Sequence, residues 1–173
     1  MTHLFVLVGG WPGSGKSTLA AALARDLALP LLAKDELKES FASGLGYPQS
    51  VERSRWMGEV AVRMMLRAAA GCPGAVLDST WFDYARPLVA QLPGTVVEVH
   101  CQVPREVARE RYQARIPARS GVHVDALRAD DELWGRPFEP LRMGPVVEVD
   151  TAGEVDLPQV TARIQAAAAR VPG

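Results

Sequence analysis

The sequence predicts an α/β fold, a parallel sheet with helices on both faces. Short runs that are apolar throughout alternate with segments of helical periodicity, the pattern of strands covered on both sides. The first of these runs leads through a glycine-rich segment straight into a helix, as in a βαβ unit. No internal repeat, linker or low-complexity stretch interrupts the alternation.

Residues 4–8 are a continuous apolar run ending in Gly9-Gly10, a buried parallel strand. Residues 17–27 follow as a helix, with Leu19, Leu23 and Leu27 one turn apart. Pro30 resets the chain, 31–33 is a short second strand and 36–42 a short helix. A loop from Gly44 to Pro48 leads to a long helix over 51–70. Its apolar stripe is Met57, Val60, Ala61, Met64, Met65 and Ala68, which reads as core packing rather than a cofactor contact. Cys72-Pro73-Gly74 turns into a third strand, 75–77, stopping at Asp78. Asp83 is placed to cap a helix over 84–91. Pro93-Gly94 turns into a fourth strand, 95–101. Pro104 suits the first position of a helix reaching Ile116, which Pro117 ends. Residues 119–124 are a loop and 125–134 a helix, followed by a loop to Pro145. The fifth strand is 146–149 and the last helix 157–169.

The chain of 173 residues is long enough for one domain with a real core, so 1–173 is expected to be a single domain. Hydrophobic residues make up 48% and charged residues 23%, a globular balance. A net charge of −1 and a pI near 6.3 give no footprint for general duplex binding, although local basic patches stay open. Cys72 and Cys101 lack the spacing of a zinc site and read as buried reduced thiols. No apolar run is long enough for a signal or membrane-spanning segment, so a soluble cytoplasmic protein is expected. The chain has no asparagine, and its three lysines, Lys16, Lys34 and Lys38, fall in one short stretch. No coiled-coil seam points to an oligomeric state.

Gly10-Trp11-Pro12-Gly13-Ser14-Gly15-Lys16-Ser17 matches the P-loop pattern GxxxxGK[ST] between a strand and a helix. Gly10, Gly13, Ser14 and Gly15 let backbone N–H groups turn inward around phosphate oxygens, and the helix that begins with Ser17 and Thr18 points its positive end at the same anion. Lys16 adds a charge on the β- and γ-phosphates and the Ser17 hydroxyl ligates Mg²⁺. ATP with Mg²⁺ is the expected cofactor pair. Trp11 either stacks on a substrate or roofs the loop. The guanine-reading Asn-Lys-x-Asp of switch GTPases is impossible without asparagine, and the length does not accommodate the sensor regions of large ATPases. A small kinase fits best.

Further segments follow the strands: Lys34-Asp35-Glu36-Leu37-Lys38, Leu77-Asp78-Ser79-Thr80, the arginine-rich helix near 104–116, and Val149-Asp150-Thr151. With the P-loop, they make the chain resemble the small P-loop kinases of the nucleoside/nucleotide-kinase-like superfamily over nearly its whole length. The likeness is to AAA-family ATPase or zeta-toxin-like proteins, which also resemble chloramphenicol phosphotransferase and the kinase domain of polynucleotide kinases. The resemblance implies a five-stranded parallel sheet in the order 2-3-1-4-5 and an arginine-rich lid over about 111–128. It implies that Asp35 faces the acceptor hydroxyl, as general base or orienting acceptor; the alternative is an N-cap for the helix starting at Glu36. Lys38 stands where those kinases place a basic residue near the acceptor. Lys34 reads as a solvated charge.

Asp78, at a strand end beside a P-loop, is the position of an acid that holds Mg²⁺ through water; the alternative is a turn cap. Trp81, with Phe82 and Tyr84, offers an aromatic wall for an acceptor, or plain packing. Arg111 and Arg115, one turn apart, are the lid arginines that the resemblance places over the phosphates, with Arg119 next. The resemblance also puts Thr151-Ala152-Gly153 near the adenine base. His123 reads as a surface residue without a role. The implied reaction moves the γ-phosphoryl of ATP to a hydroxyl of a small molecule of nucleoside, sugar or antibiotic type. The alternatives are a 5′-hydroxyl of nucleic acid, which would call for a basic groove leading to Asp35, or a regulator that binds and hydrolyses ATP with no acceptor.

Overall fold

In the computed structural model, residues 3–129, 133–135 and 137–171 are described. The strands are β1 (Leu4–Gly10), β2 (Leu31–Ala33), β3 (Gly74–Asp78), β4 (Thr95–Gln102) and β5 (Val146–Asp150). They form one sheet in the order β2-β3-β1-β4-β5 with every pair parallel, the order expected. The helices are α1 (Lys16–Asp26), α2 (Lys34–Leu45), α3 (Val51–Ala69), α4 (Arg86–Val89), α5 (Arg105–Arg115) and α6 (Leu157–Ala168).

Alternation along β1 divides the core. Val6 and Val8 point to one face with Leu19 and Leu23 of α1 and Ile164 of α6. Phe5 and Leu7 point to the other, against Val62 and Met65 of α3 and Val89 of α4. Thr161 of α6 donates to Asp26 of α1 at 2.6 Å, tying the two helices of the first face. Central strands covered on both faces carry no polar side of their own, which is why the sequence reads as unbroken apolar runs.

The structure corrects several local expectations. Helix α2 begins at Lys34, so Asp35 lies inside the first turn; its N-cap is Ala33, with no side-chain cap. The cap reading of Asp35 therefore fails. On α3 the buried face runs through Ser54, Met57, Ala61, Val62, Met65, Leu66 and Ala69, which leaves Met64 exposed. The polar Ser54 belongs to the buried face, which an apolar-periodicity argument passes over. Asp83 caps nothing: a 3-10 turn at Asp83–Ala85 precedes the four-residue α4, and Asp83 instead accepts from Arg86. Where a helix is expected from residue 125 there is a 3-10 turn, Asp125–Leu127, and a second such turn, Gly121–His123, lies in the expected loop before it. Residues 130–132 of that expected helix lie outside the described residues. No helix among the described residues is long and apolar enough to cross a membrane.

Candidate active site

The site is built at the carboxyl ends of β1, β2 and β3. The β1 strand delivers Gly10, and the chain then folds over itself before α1, with Ser14 N–H bonded to the Trp11 carbonyl at 3.0 Å. Gly13 (φ 85°) and Gly15 (φ 84°) take left-handed conformations that other residues adopt at a cost. At Gly13 space is also decisive, because a Cβ there would meet the Ala108 carbonyl of α5 at 2.1 Å. Gly15 is the N-cap of α1, and no acidic residue stands in the helix's first turn, so its positive end faces the loop undiluted. The Ser14 hydroxyl is fully buried without a hydrogen-bond partner among the described residues. Trp11 stacks on Trp134 at 5.3 Å and packs with Tyr112; it roofs the loop while lining the cavity.

Lys16 and Ser17 open onto a cavity of about 1010 Å³ that also receives Lys34, Asp35, Lys38 and Arg115. Burial lowers the Lys16 ammonium below the usual lysine range, and Asp78 and Asp35 pull it partly back. Asp78 ends β3 beside it, 7% exposed, and burial raises its carboxyl against the pull of Lys16 and a hydrogen bond from Ser17. Its Oδ1 is buried with no hydrogen-bond partner among the described residues. A hydroxyl and a carboxylate with an orphaned oxygen, both beside a phosphate cradle, are the hard oxygen donors that Mg²⁺ requires. The residues present fit that ion.

Across the cavity, Asp35 receives Lys34 at 2.5 Å and lies 3.7 Å from Arg119. Burial pushes its carboxyl up, but Lys34, His123 and Lys16 outweigh that and hold it well below the usual carboxylate range. Lys34, expected to be solvated, is thus drawn in against Asp35, its side chain 19% exposed. Lys38 is buried and donates to Ser54 Oγ at 2.6 Å; Ser54 in turn donates to the Val122 carbonyl at 2.7 Å. His123, expected on the surface, is 4% exposed, pairs with Glu39 at 3.1 Å, and has its pKa lowered chiefly by burial.

The two chosen lid arginines part company. Arg115 lines the cavity, whereas Arg111 donates to the carbonyls of Thr151 (2.9 Å) and Ala152 (2.7 Å) beyond β5. Arg111 and Thr151 therefore sit together on the P-loop's far side, where the Thr151 side chain would approach a Cβ on Gly15 at 3.8 Å. Arg119 is held by Asp125 at 2.8 and 2.9 Å and lies over the Tyr112 ring at 5.3 Å. Trp81 lines the cavity, yet it is 4% exposed and its indole N–H donates to the Val8 carbonyl at 3.1 Å, so packing claims most of its surface. Thr18 is exposed one residue along α1. Sequence reasoning passed over Lys34, Ser54, His123 and Asp125. The short spacing of the lysines was the available signal for Lys34; nothing local announces the others, which arrive from α3 and from the stretch after α5.

A family model described as an AAA domain matches residues 5–139. The chain belongs to this AAA-domain family. Uncharacterized proteins of Mycobacterium tuberculosis and Mycobacterium bovis are 31% identical to it over 151 residues. That match takes in 77% of this chain but 30% of theirs, so the AAA-domain chain spans less than a third of the length of these relatives. Among solved structures, a "putative kinase" of Chloroflexus aurantiacus is 29% identical with a TM-score of 0.84, covering 96% of this chain and 99% of that one. A gluconokinase of Sinorhizobium meliloti (21%, TM-score 0.63, 98% and 93% covered) and a shikimate kinase of Acinetobacter baumannii (18%, TM-score 0.55, 95% and 91% covered) share the fold. The AAA-domain chain has the nucleotide-binding fold of the P-loop kinase superfamily.

Proposed function

We propose that the protein is an ATP-dependent phosphotransferase that moves the γ-phosphoryl group to a hydroxyl of a small molecule. The observation that carries this reading is the meeting of Lys16, Ser17 and Asp35 in one cavity, with Asp78 behind them. An orienting carboxylate serves water as well as an alcohol, so a regulator that only hydrolyses ATP is separated from this reading by whether an acceptor stimulates turnover.

In this reading the whole of 1–173 acts as one kinase domain, with 111–128 as its lid. The backbone of Gly10–Gly15, Ser17 and Thr18 cradles the phosphates, and Lys16 neutralises the β- and γ-oxygens. Arg111 and Thr151 border the base, through the clamp on the loop after β5. Ser17 and Asp78 would hold Mg²⁺, which when bound supplies charge neutralisation across the β- and γ-phosphates. Arg115 is aimed at the charge that develops on the transferred group. Asp35 accepts a hydrogen bond from the attacking hydroxyl. Its depressed pKa makes it a weak base, so it orients the hydroxyl and takes the proton late, which a loose transition state tolerates. Lys38 and Trp81 border the acceptor space.

The test is ATP turnover across a panel of nucleosides, sugars, hydroxylated antibiotics and 5′-hydroxyl oligonucleotides, with products read by mass spectrometry. Asp35→Asn should lower acceptor-dependent transfer by about 100-fold or more, while Lys16→Ala abolishes nucleotide-dependent activity. Turnover that no acceptor stimulates and that Asp35→Asn leaves intact would sink the kinase reading.

A further inference from the structure

Lys38 sits one turn along α2 from Asp35, so the two Cβ atoms are about 5–6 Å apart on one side of the helix. It lines the cavity although it is only 2% exposed. An ammonium has three donors, and the partner of this one is the neutral hydroxyl of Ser54. Among the described residues no carboxylate lies within ion-pair distance of it, and the acids nearby are committed elsewhere. Asp35 is held by Lys34 and approached by Arg119, Glu39 is bound to His123, and Asp125 is shared by Arg119 and Tyr112. Basic side chains outnumber acidic ones along the described lining of the cavity.

A buried cation without a counter-ion is costly. The cost shows in its titration: burial first, then Lys34, Arg128 and Arg119, lower Lys38 to about 7, with Asp35 pulling the other way. From α3, Ser54 offers it only an oxygen dipole, and from the lid His123 adds no negative charge. An anionic occupant of the cavity would supply the missing charge and keep Lys38 protonated.

We propose that the acceptor is itself an anion, a small hydroxylated compound whose carboxylate or phosphate group pairs with Lys38 while its hydroxyl lies at Asp35. This rests on the kinase reading for the role of the hydroxyl, but not for the anion. The spacing of Lys38 and Asp35 selects compounds whose oxyanion and reacting hydroxyl are a few bonds apart. Transfer breaks the bond from the γ-phosphorus of ATP to its bridging oxygen and forms one to the acceptor oxygen; ADP leaves with the bond's electrons, and the hydroxyl proton goes to Asp35 and then to solvent.

The experiment uses matched triads at three, four and six carbons, each a polyol, its aldonate and its phosphate ester. Binding is measured by calorimetry at constant ionic strength on the full chain carrying Lys16→Ala, which removes the main charge of the phosphate cradle. Transfer is measured on the chain with Lys16 intact. The expected result is at least tenfold tighter binding of an aldonate or a phosphate ester than of its polyol. Lys38→Met loses that preference and Lys38→Arg keeps it; Lys38→Gln replaces the Met variant if that one does not fold. In turnover, Lys38→Met raises the KM of the anionic acceptor at least tenfold and leaves that of ATP unchanged. The responding member of the triad separates a carboxylate from a phosphate acceptor. No preference in any triad, a preference that survives Lys38→Met, or transfer to polyols as good as to anions overturns the proposal, the last while sparing the kinase reading. A Lys38-dependent preference without transfer keeps the anion site and counts against the kinase.

Discussion

Asp35, in the first turn of α2, and Asp78, at the end of β3, are carboxylates of one site whose surroundings push them in opposite directions. Burial raises both, but at Asp35 the charges of Lys34, His123 and Lys16 outweigh it and hold the carboxyl ionised; at Asp78, buried with one oxygen unpartnered, burial prevails. Such separation is how one site gives two acids different work. A bound cation would reverse the push on Asp78, which makes that residue the more sensitive of the two to metal removal. At this scale the strictest demand falls on Gly13, where both φ and the Ala108 carbonyl forbid a side chain. Gly13→Ala is expected to cost about 2 kcal/mol or more, beyond the usual penalty for a left-handed alanine, because the loop and α5 must move apart. Urea unfolding checks this; a loss below about 0.5 kcal/mol would mean that the contact between loop and helix is soft.

Helix α5 works at two places at once. Arg111 and Arg115 are one turn apart, yet the first ties down the loop after β5 and the second reaches the cavity. Steady-state kinetics should separate them. Arg115→Ala is expected to lower kcat by about 100-fold with little change in the KM for ATP, the sign of an interaction made only in the transition state. Arg111→Ala is expected to raise the KM for ATP about 3- to 10-fold with kcat nearly intact, the sign of uniform binding. Beyond α5, Val124 at φ 48° joins the two 3-10 turns, a conformation that costs a β-branched residue about 1–2 kcal/mol. The sharp corner leaves His123 against Glu39 and Asp125 against Arg119 on its two sides.

Across the molecule, buried cations tie stability to pH. Lys38 has a pKa of about 7 in the folded chain against 10.5 when unfolded, and Lys16 is lowered as well. Between those values the unfolded chain binds a proton that the folded chain does not, so stability rises with pH from about 7 towards 10.5. Asp78 and Glu98, both raised by burial, act on the acidic side: the folded chain there holds the extra protons, and stability falls as pH climbs through their range. Lys38→Met should flatten the alkaline rise and stabilise the protein by ~1 kcal/mol or more near pH 6.5, since the buried charge is replaced by an apolar chain of similar length. Denaturant midpoints at about pH 6.5 and about pH 9.5 measure both effects; equal slopes for variant and wild type would show that Lys38 is not the titrating group.

The sequence by itself determined the class of the fold and the phosphate cradle. Both are local. Strand against helix follows from apolar periodicity, and the P-loop packs its glycines, lysine and serine into eight consecutive residues, Gly10 to Ser17. The strand order came through resemblance, since nothing in an apolar run names its neighbour in the sheet. Only the tertiary structure decided what surrounds Asp35 and Lys38, because those partners come from segments far apart in the chain. Ser54, Lys38 and Val122 meet although 16 and 68 positions separate the bonded pairs, and Glu39 finds His123 at a separation of 84. The same distance effect turned His123 from a surface residue without a role into one of the groups that hold Asp35 ionised, beside its sequence neighbour Lys34. Charge and burial at a site depend on what folds against it, and composition cannot carry that information.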